Sequence, residues 1–565
     1  MHRIIKSHLD NFVKSNALEQ FDESEQFEMF VNHSVMSSKM IGIVDVENVT
    51  TGEGDDGTDG IAIIINEELI VSDDDARIVF NSERRNHDVD IVFVQSKRSE
   101  SYDLGDFLKF KESILKFVNS DTYEVNEDIQ QNARQVFDIV IDNVPKIRNG
   151  KPSFIGRYVT TGVYRNPEAL ELAKVEFVKQ LEDIGYFSQV DFQFLGRNEI
   201  TKLWVDTYSG VTSRLSMFSN APLPSIVGIE EAYLAVVKAK DFINEILTNE
   251  DGNLRNNVFE ENVRAFLGVD NPINTAIAET INNQETSSRF PVLNNGITIV
   301  SEDVRVQGSI LHIQNYQIVN GCQTSNVLFE NRNNIHEDLM VNLKVVETAN
   351  EDVFSELVRA TNSQTKVDET QFLSLRPVSK RIEDYFNTYE GQDGRLYFER
   401  RDKQYTGKDI PNVRIFSLNN TAKAVCAMFI ERPDLSYRYP KRMYELYTEK
   451  IFSDDVKEII FYTSSLALYR LYLLVAKADI PQNVRKFKWH IILLVRFIIS
   501  GKEMPELNSR KMEGYCQKII DVCAKSNDEV INIFNKAVAI INSIEDLTDD
   551  RLKRQSVMQE MIDKI

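Results

Sequence analysis

The chain is poor in cysteine: Cys322, Cys426, Cys516 and Cys523 are the four in 565 residues, and no two form a C-x-x-C pair. That excludes a zinc ribbon and a disulfide scaffold and fits a reducing compartment, so the cytoplasm is expected. Long apolar runs are also scarce. The most apolar stretch, Trp489 to Ser500, is broken by Arg496, so no membrane span of about 18 apolar residues is expected. The first residues, MHRIIKSHLDNFVKSN, lack the apolar core and cleavage site of a signal peptide. Positive charge is in deficit. With 65 Lys and Arg against 87 Asp and Glu, the net charge of −22 argues against a surface that coats nucleic acid non-specifically. Only a local basic strip could serve, and Lys97, Arg98, Lys109 and Lys111 could supply one. Internal repeats and low-complexity segments are missing as well.

What is present is the composition of a globular protein, 42% hydrophobic and 27% charged, long enough for roughly three or four domains. The most informative stretch runs from Gly52 to Glu100. It reads as an acidic, glycine-rich turn, a β-hairpin, a polar loop over Asn81 to Asp88, and a buried strand ending Gln95-Ser96-Lys97. Side chains alternate along a strand, so Val89, Ile91, Phe93, Gln95 and Lys97 share one face. An amide and an ammonium at the end of an apolar face are costly unless they have a partner or a task. Asp59 precedes the strand Ile61 to Asn66, where pairing could bring it beside Gln95. A carboxylate, an amide oxygen and a Lys at one strand end can hold a divalent metal and activate water against a phosphodiester.

Asp59-Gly60, a hairpin and Gln95-Ser96-Lys97 together resemble the PD-(D/E)XK nuclease core in its Mrr-like form, with Gln in place of the usual acid. The resemblance implies a restriction-endonuclease-like fold and a Mg²⁺ or Mn²⁺ ion. Asp59, the Gln95 carbonyl oxygen and the Ser96 backbone carbonyl would ligate it, and Lys97 would orient or deprotonate the attacking water. It also implies a Glu from the first helix. Glu28 in EQFEMFVNHSVM is the best match, and Glu25 is the alternative. The Gln at position 95 removes one negative charge and should weaken metal affinity.

Around this core, Phe27, Phe30, Val31 and Val35 recur at helical spacing, and Leu104, Phe107, Leu108, Leu115 and Val118 make an amphipathic helix. From Glu127 to about Asp206 helices and strands alternate: Ser153 to Thr161 and VDFQFLG as strands, Pro167 to Ile184 as a helix. Ile229 to Lys238 is expected to be helical. Arg395 to Glu399, with Tyr397, Phe398, Arg400, Arg401 and Lys403, mixes basic and aromatic residues as a grip on single-stranded nucleotides would. From Asn419 the chain reads as a helical bundle, with breaks at Pro481 and Pro505. Its closing helices could serve a homodimer or cap the chain itself. The expected domains are 1–125, nuclease-like; 126–250, αβ; 251–415, αβ; and 416–565, helical. The fold class is α/β (α+β), multidomain.

Between Asn253 and Leu375, Asn and Gln sit beside apolar strands and at helix starts, where they offer donors and acceptors without charge. Candidate ligand contacts are Asn295, Asn320, Gly321, Gln323, Thr324, Asn362 and Gln364. The strand ending at Asn320-Gly321 leads into a helix expected near Thr324, whose N–H groups would suit phosphate. Asn262-Val263-Arg264, Asn294 to Thr298, Gln317 to Thr324 and Ala360 to Gln364 closely resemble the AIPR family, named for abortive-infection phage resistance. IVNGCQT followed by ATNSQTKV more weakly resembles the ParB-type and DndB-type layout, which holds nucleotides or phosphate, although Gln323 and Thr324 stand where ParB has a cation. The resemblances imply a metal-dependent nuclease of phage defence, its partners nucleic acid (phage or foreign DNA) and a nucleotide or phosphate, with no membrane. The alternative is a catalytically silent sensor that binds nucleic acid or nucleotide.

Overall fold

A computed structural model describes residues 1–40, 44–52, 57–82, 86–119, 128–208, 212–249, 252, 254–255, 258–259, 272–283, 286–362, 373–374, 376–389, 394–401, 404–405, 408–544, 547, 549–552 and 555–565. The chain forms two compact units. One joins residues 1–83 and 87–208 to 376–565, and the other consists of 84–86 and 209–375.

The first unit is built on a five-stranded sheet ordered β2-β1-β3-β4-β5. Its strands are β1 (Gly60–Ile65), β2 (Glu68–Leu69), β3 (Val89–Lys97), β4 (Ser153–Thr160) and β5 (Gln189–Leu195). β1 runs antiparallel to β3, and β3, β4 and β5 run parallel. A sheet covered on both faces needs strands that are apolar on both sides, which explains the unbroken Gly-Ile-Ala-Ile-Ile-Ile of β1. The helices are α1 (Arg3–Asn16), α2 (Glu23–Met36), α3 (Asp73–Asn81), α4 (Leu104–Asn119), α5 (Asp128–Asp142), α6 (Glu168–Ile184) and α7 (Arg197–Tyr208). Ile61, Ile63, Ile91 and Phe93 pack with residues of α4, α5 and α6, while Ala62, Ile64, Val92 and Val94 pack with those of α1, α2 and α7. The stretch between the hairpin and the loop expected over Asn81 to Asp88 is helix α3, which was not expected; it is capped by Ser72 and opened by Asp73, Asp74 and Asp75, a favourable N-terminal charge pattern.

The second unit holds a seven-stranded sheet ordered β11-β8-β12-β7-β6-β10-β9. These are β6 (Thr212–Pro222), β7 (Glu231–Lys238), β8 (Ile297–Ser301), β9 (Asp303–Gln307), β10 (Ile310–Gln314), β11 (Gln317–Asn320) and β12 (Met340–Glu347). Its helices are α8 (Ala239–Phe242), α9 (Pro272–Asn282), α10 (Phe290–Leu293), α11 (Cys322–Glu330) and α12 (Glu351–Asn362). The helix expected over Ile229 to Lys238 is instead strand β7, paired to both β6 and β12. Its residues Ala232, Ala235 and Val237 suit either state, and two flanking ladders outweigh helix propensity.

The remaining α-helices and strands belong to the first unit: α13 (Pro377–Asn387), β13 (Tyr397–Glu399), β14 (Ile415–Ser417), α14 (Leu418–Met428), α15 (Pro433–Arg438), α16 (Pro440–Ile451), α17 (Ile459–Ala476), α18 (Lys488–Ser500), α19 (Lys511–Cys523), α20 (Asp528–Asn542), α21 (Asp549–Leu552) and α22 (Gln555–Asp563). α17 is an 18-residue helix apolar enough by length and composition to cross a membrane, and 83% of it is buried inside the protein. Buried Arg470 on α17 donates to the carbonyls of Cys523 (2.7 Å) and Ala524 (3.1 Å), capping α19. The helical region returns to the first sheet's helices. Lys488 Nζ lies 3.2 Å from Asp45, Arg485 pairs with Glu47, and Asn412 N–H donates to Ser15 Oγ at 2.9 Å. The boundary expected at 125 therefore falls inside one sheet, because β4 and β5 extend it from β3. That at 415 also shifts, since residues from 376 onward join the helical part.

Candidate functional site

Beyond the Gly60↔Val94 pair, the apolar strands β1 and β3 end in buried polar residues: Asp59, Gln95 and Ser96. Asp59 N–H donates to Val94 O at 2.9 Å, and its carboxylate takes over the role of strand acceptor. Asp59 Oδ2 receives Ser96 N–H at 2.7 Å, Gln95 Nε2 at 2.8 Å and Ser96 Oγ at 3.0 Å. Hydrogen bonds to a charged acceptor are the strong ones, and they offset part of the cost of burying it. Gln95 Oε1 lies buried with no hydrogen-bond partner among the described residues. Lys97, two residues on and half-buried, follows Gln95 on its side of β3 and stands beside Thr160 in the register.

α2 supports this strand end from its backbone side. Asn32 Nδ2 donates to Asp59 O and to Thr50 Oγ1, each at 3.0 Å. Gly60 makes the approach possible, since a Cβ there would stand 2.2 Å from Asn32 Oδ1. Glu28 lies one turn before Asn32, half-buried, and accepts from Ser24 Oγ at 3.4 Å. Glu25, the alternative, has a different task. It closes the capping box of α2, accepting Asp22 N–H at 3.1 Å.

Sequence reasoning missed Asn32, the donor role of Ser96, and Tyr158. Tyr158 stands next to Gln95 across β3 and β4. Burial, then the carboxylates of Asp106, Asp103 and Asp59, push its phenol above the ordinary range, so it stays protonated. Asp103 accepts Asp106 N–H at 2.9 Å at the start of α4; an Asp before an apolar-periodic helix is the signal that could have found it. The expected basic strip is half neutralised. Arg98 pairs with Glu23 (3.5 Å) and Lys111 with Glu176 (3.3 Å), leaving Lys97 and Lys109 without an ion pair among the described residues. No group of three His, Cys, Asp or Glu side chains placed to hold a metal occurs among the described residues.

The second cluster forms where β11 ends. Gly321 has φ +92°, and a Cβ there would stand 2.8 Å from Ile297 Cγ1, so glycine alone suits the turn. α11 starts at Cys322, two residues before the expected Thr324. Gln323 Oε1 accepts from Asn274 Nδ2 at 2.9 Å, and Thr324 Oγ1 accepts from Asn294 Nδ2 at 3.1 Å. Asn294 Oδ1 in turn takes Gly296 N–H at 3.0 Å. Asn295, the residue expected there, is exposed, and its neighbour Asn294 makes the tie. Asn320 is the last residue of β11, half-buried. Asn362 ends α12 rather than starting a helix, and Gln364 lies outside the described residues, as do Asn262, Val263 and Arg264. The basic and aromatic stretch near 400 is structural. Arg395 donates to the carbonyls of Phe386, Asn387 and Tyr389 at the end of α13, and buried Arg400 lies 3.3 Å from buried Glu383. Lys403 lies outside the described residues.

Residues 259–554, just over half of the chain, match the family model for AIPR proteins. The chain belongs to the AIPR family. Membership suggests a role in anti-phage defence. The AIPR match takes in most of the second sheet and the helical region, and leaves the first sheet, with Asp59 and Gln95, outside it. No curated protein and no solved structure matches the chain.

Proposed function

We propose that the first sheet is the catalytic part of a metal-dependent nuclease in anti-phage defence, hydrolysing phosphodiester bonds with DNA as substrate. The reading is carried by the meeting of Gln95 and Ser96 on one Asp59 oxygen, with the buried, partnerless Gln95 Oε1 beside it. The order of elements supports it: a helix bearing Glu28, a hairpin, the Gln95 strand, then amphipathic α4. In this reading the AIPR region supplies recognition of nucleic acid or of a nucleotide signal.

The residues fit Mg²⁺ or Mn²⁺. Asp59, the Gln95 carbonyl and the Ser96 carbonyl are hard oxygen donors, and a Mg²⁺ site with one carboxylate completes its shell with water and substrate phosphate. Gln95 Nε2 lies 2.8 Å from Asp59 Oδ2. Turning the amide over would exchange Nε2 for Oε1 and set a second oxygen donor beside Asp59. Such an ion supplies Lewis-acid polarisation of the scissile phosphate. The chain does the rest. Ser96 N–H and Oγ hold the Asp59 carboxylate in orientation, and Asn32 anchors its backbone. Lys97 orients the attacking water and offsets negative charge developing on the phosphate. Tyr158, held neutral, serves as a hydrogen-bond donor rather than a base.

With Mg²⁺ or Mn²⁺ and phage or plasmid DNA, the wild-type protein is expected to cut and Lys97→Ala to lose cutting. Equal cutting by both would assign the activity elsewhere. A second reading, a catalytically silent sensor, is favoured by the three donors already on Asp59 Oδ2 and the single carboxylate of the donor set. It predicts no Mg²⁺- or Mn²⁺-dependent rise in Tm that Asp59→Ala removes.

A further inference from the structure

The second sheet leaves part of one face open, and its chemistry departs from the rest of the surface. Along β6, Ser213, Leu215 and Met217 are buried while Arg214 and Ser216 are exposed, and exposed Phe218 sits at the bulge between Met217 and Ser219. The register carries the exposed face sideways, because residues paired across a ladder point the same way. Arg214 stands beside His312 of β10, and His312 beside Arg305 of β9. On β7, Leu234 and Lys238 alternate with the buried Ala235 and Val237, and Leu234 stands beside exposed Lys344 of β12. α12 covers this face at its other end, where Phe354 and Val358 pack on Ala232, Val300, Val319 and Val346.

Arg214, Lys238 and Lys344 enter no ion pair among the described residues. The carboxylate on these rows, Asp303, is held by Arg305 at 2.7 Å, and Glu337 bonds Lys240. Three cations without an ion pair among the described residues, on one face of a chain of net charge −22, make a local positive field, offset in part by Glu337 near Lys238. Among them Phe218 is 74% exposed and Leu234 47%. An ordinary solvated sheet face has no use for an exposed phenyl ring. A sheet face that offers both cations and an aromatic ring suits a polymer with phosphates and accessible base faces, which is a single strand. A duplex hides its bases, and an acidic peptide would use the cations but not the ring.

We propose that the open face of the second sheet binds single-stranded nucleic acid, with Arg214, Lys238 and Lys344 on phosphates and Phe218 under a base. This goes beyond the hydrolytic reading and does not depend on it, because binding can be read without metal. The test uses the full chain in EDTA, fluorescence anisotropy and a labelled single strand of about 20 nucleotides. The triple variant Arg214→Glu, Lys238→Glu, Lys344→Glu is expected to weaken binding roughly a hundredfold at low salt and to flatten its salt dependence. Phe218→Ala should weaken it roughly tenfold with the salt dependence kept. The triple variant Lys179→Glu, Lys518→Glu, Lys536→Glu makes the same charge change at exposed positions elsewhere and should alter binding less than about threefold. Should the first triple variant unfold, Lys344→Gln alone is expected to weaken binding about threefold. Absence of binding by wild type, equal loss in both triple variants, no loss in Lys344→Gln, no loss in Phe218→Ala, or tighter binding of a duplex of the same length would each overturn the proposal.

Discussion

Two strand ends in this protein bury polar side chains, and they meet the cost in different ways. At the end of β11, the side chains are neutral. Asn274 serves Gln323, and Asn294 serves both Thr324 and the Gly296 N–H. Amides donate and accept, so a set of them can close on itself. At the end of β3 a single carboxylate oxygen gathers three donors, an amide oxygen is buried without a partner, and an ammonium stands two residues away. Neutral donors stabilise a buried charge only in part, and a buried acceptor without a donor costs about 1 to 3 kcal/mol. The first arrangement holds a turn in place. The second leaves the Gln95 amide oxygen without a donor among the described residues, and the proposed catalytic reading rests there.

The sharpest way to break this contrast is Asp59→Ala. Metal-dependent cutting should fall by about a thousandfold or more, equivalent to about 4 kcal/mol in the barrier, and any Mg²⁺-dependent rise in Tm should vanish. Plasmid cleavage and thermal unfolding read both, and cutting that survives would remove the strand end from the chemistry. Next in size is Gly321→Ala, which forces a side chain into φ +92° and against Ile297. Urea unfolding should show a loss of about 3 kcal/mol, and a loss under about 1 kcal/mol would mean the turn is not held as tightly as its contacts imply.

A second buried carboxyl, Asp75, sharpens the comparison because burial outweighs the hydrogen bonds it receives from Ser72 and Lys441. Its recorded backbone donor is Lys441 N–H at 3.2 Å, and burial raises its pKa from 3.8 to about 7. The folded state therefore keeps a proton that the unfolded state has lost. Stability is greatest in acid and falls as pH rises from the unfolded value through about 7. Asp75→Asn should remove a fall on the order of 2 kcal/mol between pH 5 and 7.5. Identical pH profiles for the two proteins would show that the carboxyl ionises freely in the fold. The smallest effect is expected from Asn294→Ala, about 1 kcal/mol by urea unfolding, from losing the ties to Thr324 and Gly296. No loss would mean that those bonds are readily replaced by water.

How much could be read in advance depended on how local the cause was. The alternation of Val89, Ile91, Phe93, Gln95 and Lys97 is a property of consecutive residues, and it placed the strand and its polar end. Helix α6 and strands β4 and β5 were legible for the same reason. Helix α3 was overlooked, although Ser72 and three Asp residues are an N-cap signature. β7 was misjudged because its alanines and valines fit a helix equally well until two partner strands claim them. Asn32 and Tyr158 were out of reach. Asn32 comes 27 residues before Asp59, and nothing near either residue announces that they touch.

The sequence by itself determined the mixed α and β class, the polar end of the third strand, the glycine turn before α11 and the blocks that mark an AIPR protein. Each depends on spacing along the chain, where side-chain periodicity and backbone sterics act directly. Only the tertiary structure decided that residues 153–195 extend the first sheet, that the last third of the chain returns to it, and that Arg395 and Arg400 tie down a helix. Only the structure laid Arg214, Phe218, Lys238 and Lys344 on one open face. Those outcomes come from pairing and burial between distant segments. Their energies belong to the contact and not to either residue, so no local pattern carries them.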